Sequence, residues 1–309
     1  MNEVKVFINV LNYNTYNKTK LCIDSCLKQK GVAYRVLLID NCSTDNSYIK
    51  LRTLYGDKID YLQTGENYGY AKGNNIGVEY SKKKYSKYTL ILNSDTELVG
   101  DFLVRELVET IEKNPDFGIV APLIYDVTQY GLQLNTNDSV YYKVLRLAGV
   151  LPAKKRIDSK KELINYAQGS ALLVDNENFV AIGGFPEHYF MYCEESTFAK
   201  KTLWRGKSIC WCKDDDNHVL HHHDRTAEIV PWREFLKGRN LGIEYYENRG
   251  KHHPIRWRLV YNIFKIWLQL HGKVYLYKGM KDAKKIHKRN FSHKQCYDEA
   301  VKIRNSYKG

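Results

Sequence analysis

The sequence predicts an α/β fold carried on a mostly parallel sheet. Three observations lead there. Short apolar runs rich in Val, Ile and Leu alternate with helical segments of about a dozen residues, the signature of βαβ units. Several of those runs end in Asn or Asp, which delivers polar groups to one rim of the sheet, where such sheets bind ligands. There is no GxGxxG or Walker-type glycine loop, which argues against a dinucleotide or P-loop nucleotide site.

In chain order, Val4 to Leu11 reads as a strand ending near Asn12 and Asn14. Asn17 to Lys30 reads as a helix closed by Gly31. Tyr34 to Ile39 is a buried strand ending at Asp40 and Asn41. Ser43 and Asp45 are suited to cap a helix running to about Tyr55. Ile59 to Gln63 is a strand leading to Asn67, and Ala71 to Lys83 a helix weakened by Gly73 and Gly77. Tyr88 to Leu92 is a buried strand ending at Asn93-Ser94-Asp95. Asp101 to Lys113 is an amphipathic helix, and Phe117 to Tyr125 a strand. Asp126 to Lys161 is polar and irregular, the expected place for a loop over the site. Tyr166 to Val174 resumes strand character through Gly169, and Tyr189 to Trp204 opens on aromatics and continues as a helix bearing Glu194 and Glu195. Ser208 to Cys212 and His218 to His221 read as strands.

The chain has 309 residues, with 48 Lys+Arg against 35 Asp+Glu and a net charge of +13. The charge is concentrated. Lys251 to Gly309 holds 15 basic and three acidic residues, so the preceding 250 residues are nearly neutral. The sequence therefore divides into a body, 1–250, and a basic tail, 251–309, that favours an anionic partner. The N-terminus lacks the apolar run of a signal peptide, no stretch suits a spanning helix, and the seven cysteines are irregularly spaced. These features lead us to expect a cytoplasmic protein without a disulfide framework.

Three groups of residues carry chemistry. Asp95, at the end of a buried strand, is a hard oxygen ligand suited to Mg²⁺ or Mn²⁺ on a diphosphate; alternatively the Asn-Ser-Asp is a capping turn. Glu194 and Glu195, at an aromatic-rich helix start, suit a general base, or simply complement the helix dipole. His218, His221, His222 and His223 offer metal ligands or an acid or base. Cys210 and Cys212 lie just upstream, but CxC followed by HxxHHH is not a standard zinc spacing, and Ser208 to Cys212 alternates as an ordinary strand does.

Taken together these residues meet a known pattern. Asp40-Asn41-Cys42-Ser43-Thr44-Asp45 resembles the D-N-x-S-x-D element of family 2 glycosyltransferases. The stretch from Asn67 through Gly69, Gly73 and Asn75 to Gly77 resembles their N-x-G-x-(A)-x-G-x-N-x-G element. Leu92-Asn93-Ser94-Asp95 is similar to the L-N-x-D version of their DXD motif. Gly183-Gly184-Phe185 through Phe190 to Glu195 is similar to G-G-F-x-x-x-F-F-x-Y-x-E-(D/E), and Arg239-Asn240 to a following R-N element. Order and spacing fit from about Val4 to Asn240.

The resemblance implies a GT-A fold and an inverting sugar transfer from a nucleoside-diphosphate sugar, of UDP or dTDP type, to a glycan or lipid-linked acceptor of surface polysaccharide synthesis. On it, Asp40 and Asn41 face the base or ribose, with Asn12 beside the nucleotide. Asn67, Gly69, Asn74, Asn93, Gly169 and Arg239 join them as substrate-binding residues. Asp95 and His221 ligate Mn²⁺ or Mg²⁺, with His218, His222 and His223 as the other candidate ligands. Glu195, where many relatives have Asp, is the base, with Glu194 as the neighbouring candidate. A nucleotidyltransferase and a non-catalytic nucleotide-sugar binder are the competing readings.

In the tail, Pro254 to Leu270 places Arg258, Asn262, Lys265 and Gln269 on one narrow polar stripe of a helix, with Ile255, Leu259, Ile263, Ile266 and Leu270 on the broad apolar remainder. Lysines and tyrosines follow. The segment 254–289 therefore suits either an anionic membrane interface or docking on the body. No nucleic-acid signature accompanies the charge.

Overall fold

The computed structural model describes residues 4–136, 139–222, 230–249 and 253–306. The elements run β1 (Val6–Asn12), α1 (Tyr16–Cys26), β2 (Tyr34–Asp40), α2 (Ser47–Tyr55), β3 (Asp60–Gln63), α3 (Gly69–Lys83), β4 (Tyr88–Asn93), β5 (Thr96–Val99), α4 (Leu103–Lys113), β6 (Phe117–Ala121), β7 (Leu123–Thr128) and β8 (Gly131–Leu134). They continue as α5 (Val140–Leu147), β9 (Lys155–Arg156), β10 (Lys161–Ile164), β11 (Ala171–Asp175), α6 (Asn176–Ala181), α7 (Glu194–Trp204), β12 (Ser208–Cys212) and β13 (His218–His221). Four helices close the chain: α8 (Pro231–Asn248), α9 (Pro254–Leu270), α10 (Val274–Lys288) and α11 (His293–Ser306). Among the described residues no helix is long and apolar enough to cross a membrane.

The chain forms two compact units. One comprises Met1–Asn137, Lys154–Phe185 and Phe198–Arg225; the other comprises Asp138–Ala153, Pro186–Thr197 and Thr226–Gly309. The second unit thus gathers the basic tail together with two segments from the middle of the sequence.

In the first unit the strands make a sheet of order β3-β2-β1-β4-β11-β6-β12-β10-β9 and a smaller one of order β5-β13-β7-β8. β3, β2, β1 and β4 run parallel, while β11 reverses between β4 and β6. Alternation along the strands sorts the core. Val6, Ile8 and Val10 face α1 and α4, where they meet Ile23, Leu103 and Leu107. Phe7, Leu37 and Ile39 face the opposite side, against Tyr80 of α3. Both faces are covered, which explains why these strands read as continuous apolar runs.

Several expectations are corrected. The helix from Asn17 stops at Cys26 rather than Lys30 because Gln29 leaves it to bridge β5 and α4, through Nε2 to the Gly100 carbonyl at 2.7 Å and through Oε1 from the Val104 amide at 3.1 Å. The strand from Phe117 is two strands, broken at Pro122, which cannot donate to a ladder. The polar stretch from Asp126 to Lys161 is not a plain loop, since it holds the end of β7, all of β8, α5 and β9. The aromatics from Tyr189 precede α7 instead of starting it. Cys210 and Cys212 are buried in β12 within the hydrophobic core, as an ordinary strand would place them.

The glycines of α3 let a helix press onto the sheet. A methyl group at Gly77 would collide with Ile39 Cδ1 and lie 2.7 Å from Asn9 Nδ2. In the second unit α8 and α10 meet the same way: a Cβ at Gly238 would strike the Leu276 carbonyl, and one at Gly279 the Phe235 carbonyl. The loss of helix propensity that weakens α3 in the sequence therefore permits close approach.

Gly77→Ala should overpack this contact. The cost, about 1–3 kcal/mol, exceeds the gain in helix propensity of up to about 1 kcal/mol. A lower urea midpoint at unchanged slope is expected. A raised midpoint would show that Ile39 and Asn9 yield freely.

Candidate active site

The carboxyl ends of β1, β2 and β4 lie side by side. Asn12 pairs with Asp40, and Leu11 with Asn93, so Asn12, Asp40 and Asn93 share one rim. Asn12 and Asp40 have no exposed surface. Asn12 Nδ2 donates to Asp40 Oδ1 at 2.8 Å, to Ser43 Oγ at 3.0 Å and to Ser47 Oγ at 3.1 Å, while its Oδ1 accepts from Thr19 at 2.8 Å. Asp40 also accepts the Ser43 hydroxyl at 2.6 Å and the Ser43 amide at 3.1 Å. Ser43, expected as a helix cap, is instead part of this knot; Asp45 does accept the Ser47 amide at 3.0 Å. Asn12 and Asp40 form the floor of the rim and shape its loops.

Asn41 ties the next loops together. It is 2 % exposed, and its Nδ2 donates to Asn67 Oδ1 and to the Gly69 carbonyl, both at 3.1 Å. Its Oδ1 accepts the Tyr68 amide at 3.1 Å. Asn67 in turn accepts the Gly69 amide at 3.0 Å, at a residue whose φ of +75° suits glycine. Asn74 is buried and donates to the Tyr70 carbonyl at 3.1 Å. Its neighbour Asn75 clamps Phe185, accepting its amide at 3.0 Å and donating to its carbonyl at 2.9 Å. Two of the motif segments read from sequence are thereby hydrogen-bonded to each other. Tyr70 donates to the Gly169 carbonyl at 2.5 Å, and the Asn93 amide to the Ser170 carbonyl at 3.0 Å. The loop of Gly169 is thus fastened beside β4.

The Asp95 group is assembled by strand register. Ser94 and Asp95 form the turn from β4 into β5. β13 lies between β5 and β7, with His221 opposite Thr96 on one side and Asp126 on the other. The imidazole ends between two carboxylates: Nε2 is 3.2 Å from Asp95 Oδ1, and Nδ1 is 3.3 Å from Asp126 Oδ1. Burial works against a charge on the ring, but hydrogen bonding to Asp126 and Asp95 outweighs it, and the pKa of His221 lies above its ordinary value. The other histidines are engaged elsewhere. His222 Nε2 is 2.9 Å from Glu97 Oε2, and His218 Nδ1 is 2.7 Å from the Asp215 carbonyl. His223 lies outside the described residues. Sequence reasoning missed Asp126, which it assigned to a loop. Its place beside His221 depends on the pairing of β7 with β13.

This donor set fits a hard divalent cation. A carboxylate and an imidazole nitrogen 3.2 Å apart suit adjacent ligands of one octahedral ion, which are roughly 3 Å apart. Asp126 Oδ1 stands 3.3 Å from Nδ1 on the far side of the ring, where ligating histidines ordinarily have an outer partner. A second group, His188, Glu247 and His293 in the second unit, also brings three ligand atoms together. There the two rings stack at 4.1 Å and 10°, so their lone pairs run parallel rather than converging on an ion.

Glu194 and Glu195 belong to the second unit at the start of α7. Phe190, Tyr192 and Cys193 just before them have φ of 65°, 74° and 69°, a left-handed backbone unusual for side chains of this size. Asn240 of α8 holds it. Its Nδ2 is 3.0 Å from the Met191 carbonyl, 2.9 Å from that of Tyr192 and 3.4 Å from that of Tyr189. Glu194 is 3 % exposed, and burial, followed by the adjacent Glu195 charge, pushes its carboxyl well above the usual range. Glu195 is only partly buried. Arg239, expected at the substrate, is instead wholly buried within this helical unit. It donates to the Cys296 carbonyl at 2.8 Å and lies 3.5 Å from Asp282.

Comparison with known proteins gives the family and the fold. The family model described as "Glycosyl transferase family 2" matches residues 8–177. The chain is 29% identical over 214 residues to the low-salt glycan biosynthesis hexosyltransferase Agl10 of Haloferax volcanii, covering 68% of this chain and 66% of that protein. It is 25% identical over 243 residues to the rhamnosyltransferase WbbL of Escherichia coli, covering 75% and 90%. It is 24% identical over 255 residues to an N-acetylglucosaminyl-diphospho-decaprenol L-rhamnosyltransferase of Mycobacterium tuberculosis, covering 72% and 79%. Among solved structures, GalNAc-T7 with UDP, GalNAc and Mn²⁺ superposes with a TM-score of 0.59 at 14% identity, over 81% of this chain and 51% of that one. The mannosyltransferase PcManGT of Pyrobaculum calidifontis, in complex with GDP-Man and Mn²⁺, superposes with a TM-score of 0.57 at 14% identity, over 97% and 73%. The chain thus spans just under two thirds of the haloarchaeal relative and about half of GalNAc-T7. These structural likenesses show the fold, which is GT-A as the sequence predicts.

Asn240→Ala should remove the clamp on the Phe190–Cys193 backbone. The loss of hydrogen bonds to buried carbonyls should lower stability by about 1–3 kcal/mol, read by urea denaturation of the full chain. An unchanged midpoint would contradict the clamp.

Proposed function

The chain belongs to glycosyl transferase family 2, and on that premise we propose that it is a metal-dependent inverting glycosyltransferase. The donor is a nucleoside-diphosphate sugar of UDP or dTDP type. The acceptor is a hydroxyl of a glycan or lipid-linked precursor in surface polysaccharide synthesis, at the inner face of the cell membrane. The observation that carries this reading is the Asp95–His221–Asp126 group at the rim of the sheet. The rhamnosyltransferases and the hexosyltransferase among its relatives support the acceptor class.

Asp95 and His221 Nε2 would hold Mn²⁺ or Mg²⁺, which would neutralise the charge developing on the leaving diphosphate. Asp126 is a positioning residue that keeps Nε2 turned toward Asp95. Asn93 begins the turn and places Asp95 without itself being a required ligand. Asn12, Asp40 and Asn41, all buried, act by fixing the loops against which the nucleotide lies, together with Asn67, Gly69, Asn74 and Gly169. Asp40 and Asn41 stand at the strand end where the base or ribose would lie.

Inversion needs one proton acceptor for the incoming hydroxyl. As the acceptor oxygen bonds to the sugar C1, the C1–phosphate oxygen bond breaks, and the hydroxyl proton passes to a carboxylate. We assign that carboxylate to Glu195. The raised pKa of Glu194 favours its protonated form, a poor base, and its buried charge would be costly. Glu195 is more accessible. The nucleotidyltransferase reading gives way to the family membership.

A panel of UDP-, GDP- and dTDP-sugars with acceptor extract and Mn²⁺ should give release of nucleoside diphosphate with at least one donor. Glu195→Gln should reduce that release by about 100-fold or more while donor binding by calorimetry stays within about twofold. Absence of release from every donor would overturn the activity. Full turnover by Glu195→Gln would overturn the base assignment alone.

A further inference from the structure

The second unit contains a cavity of about 880 Å³ bordered by α8, α9 and α10. Its lining brings together Arg249, Arg258, Lys265, Lys284 and Lys288, with no carboxylate among the described residues. None of the five forms an ion pair with a described residue. Five clustered cations repel one another, and a body that leaves them without acidic partners is matched to an anion from outside. Tyrosines organise the cluster. The Arg249 guanidinium stands 5.1 Å from the Tyr246 ring, the His287 ring stacks on the same tyrosine at 4.6 Å, and Lys265 stands 5.7 Å from the Tyr261 ring. Two guanidinium forks and three ammonium groups suit phosphate oxygens better than a single carboxylate.

The helix that supplies Arg258 and Lys265 also says where the anion comes from. At about 100° per residue, α9 presents three arcs. Trp257, Val260, Tyr261, Phe264 and Leu268 form the buried arc. Arg258, Asn262 and Lys265 form the arc that lines the cavity. Ile255, Leu259, Ile263, Ile266 and Leu270 form the third, adjoining the cationic arc, and they are solvent-facing, with Ile255 84 %, Leu259 60 % and Leu270 79 % exposed. A free phosphate or a nucleic acid would use the cations and leave that stripe in water. A phosphorylated lipid uses both: the headgroup enters the cavity and the stripe enters the acyl boundary.

We propose that this cavity is a binding site for the phosphate headgroup of a membrane lipid, a phosphomonoester or diphosphate, anchored by the α9 stripe. The inference rests on the reading that the protein works on acceptors held at a membrane, and it names the lipid chemistry that holds it there.

The test is co-sedimentation of the full chain, without donor sugar, on vesicles of phosphatidylcholine alone, with phosphatidic acid, or with phosphatidylserine at equal charge. Binding should be strongest with phosphatidic acid. Arg258→Gln/Lys265→Gln should weaken it about tenfold or more, whereas Lys278→Gln/Lys281→Gln, outside the cavity, should weaken it less than about threefold. Ile263→Ser/Ile266→Ser should lose vesicle binding but keep affinity for inorganic diphosphate. All six positions lie on helix surfaces, and unchanged circular-dichroism melts confirm folding. Equal losses for the two charge variants would overturn the site. Tight binding of inorganic diphosphate or an RNA oligonucleotide without a preference for vesicles would overturn the lipid. Because no donor is present, failure here leaves the transferase reading standing, and failure of that reading leaves the vesicle result unchanged.

Discussion

The imidazole of His221, held between Asp95 and Asp126, is the contact on which the account depends. It exists because β13 lies between β5 and β7, with one register placing His221 opposite Thr96 and the other placing it opposite Asp126. A one-residue slip of either ladder would turn the ring to the other face. The small sheet therefore sets the placement of this group. The large sheet brings the same turn to its rim, since Asp95 follows β4 by two residues and β4 pairs with β1 and β11 on either side. The pKa of His221 lies above its ordinary value because the two carboxylates beside the ring outweigh its burial.

The second unit obeys a different constraint. Glu194 and Glu195 leave a backbone that three non-glycine residues hold at positive φ, a cost of about 1–3 kcal/mol each. That arrangement persists because Asn240 occupies the loop carbonyls, and α8, which carries Asn240, is pressed against α10 at Gly238 and Gly279. Arg239, next in sequence, faces α10 and α11 from within the core. Two adjacent residues thus serve one purpose, since one holds the loop and the other ties the helices behind it. The glutamates differ in the same physical terms, with Glu194 buried and shifted and Glu195 more open.

Much of the fold was legible in the sequence because its strands are buried on both faces and its helices carry one apolar stripe. Ser208–Cys212, His218–His221 and Pro254–Leu270 have the bounds read from their patterns. The rim was legible where motif and strand end coincide, since Asn12, Asp40 and Asn93 end paired strands and Asp95 follows in the turn. What escaped depends on long-range pairing. Asp126 acquires meaning only when β7 lies against β13. Arg239 reads as a substrate ligand until its burial is known. Asn12 and Asp40 look available for a ligand until their hydrogen bonds are counted. Gly77 reads as a weak point of a helix until the sheet beneath it is in place. The tail divided in the same way: its polar stripe was visible, but the separation of its apolar residues into a buried arc and an exposed one came only from packing.

The most direct measurement is anomalous diffraction from crystals of the protein grown with Mn²⁺ and UDP. A manganese peak bonded to an Asp95 carboxylate oxygen and to His221 Nε2 is expected, with Asp126 beside Nδ1. A peak bonded to neither residue, for example one seated among His188, Glu247 and His293, would contradict it.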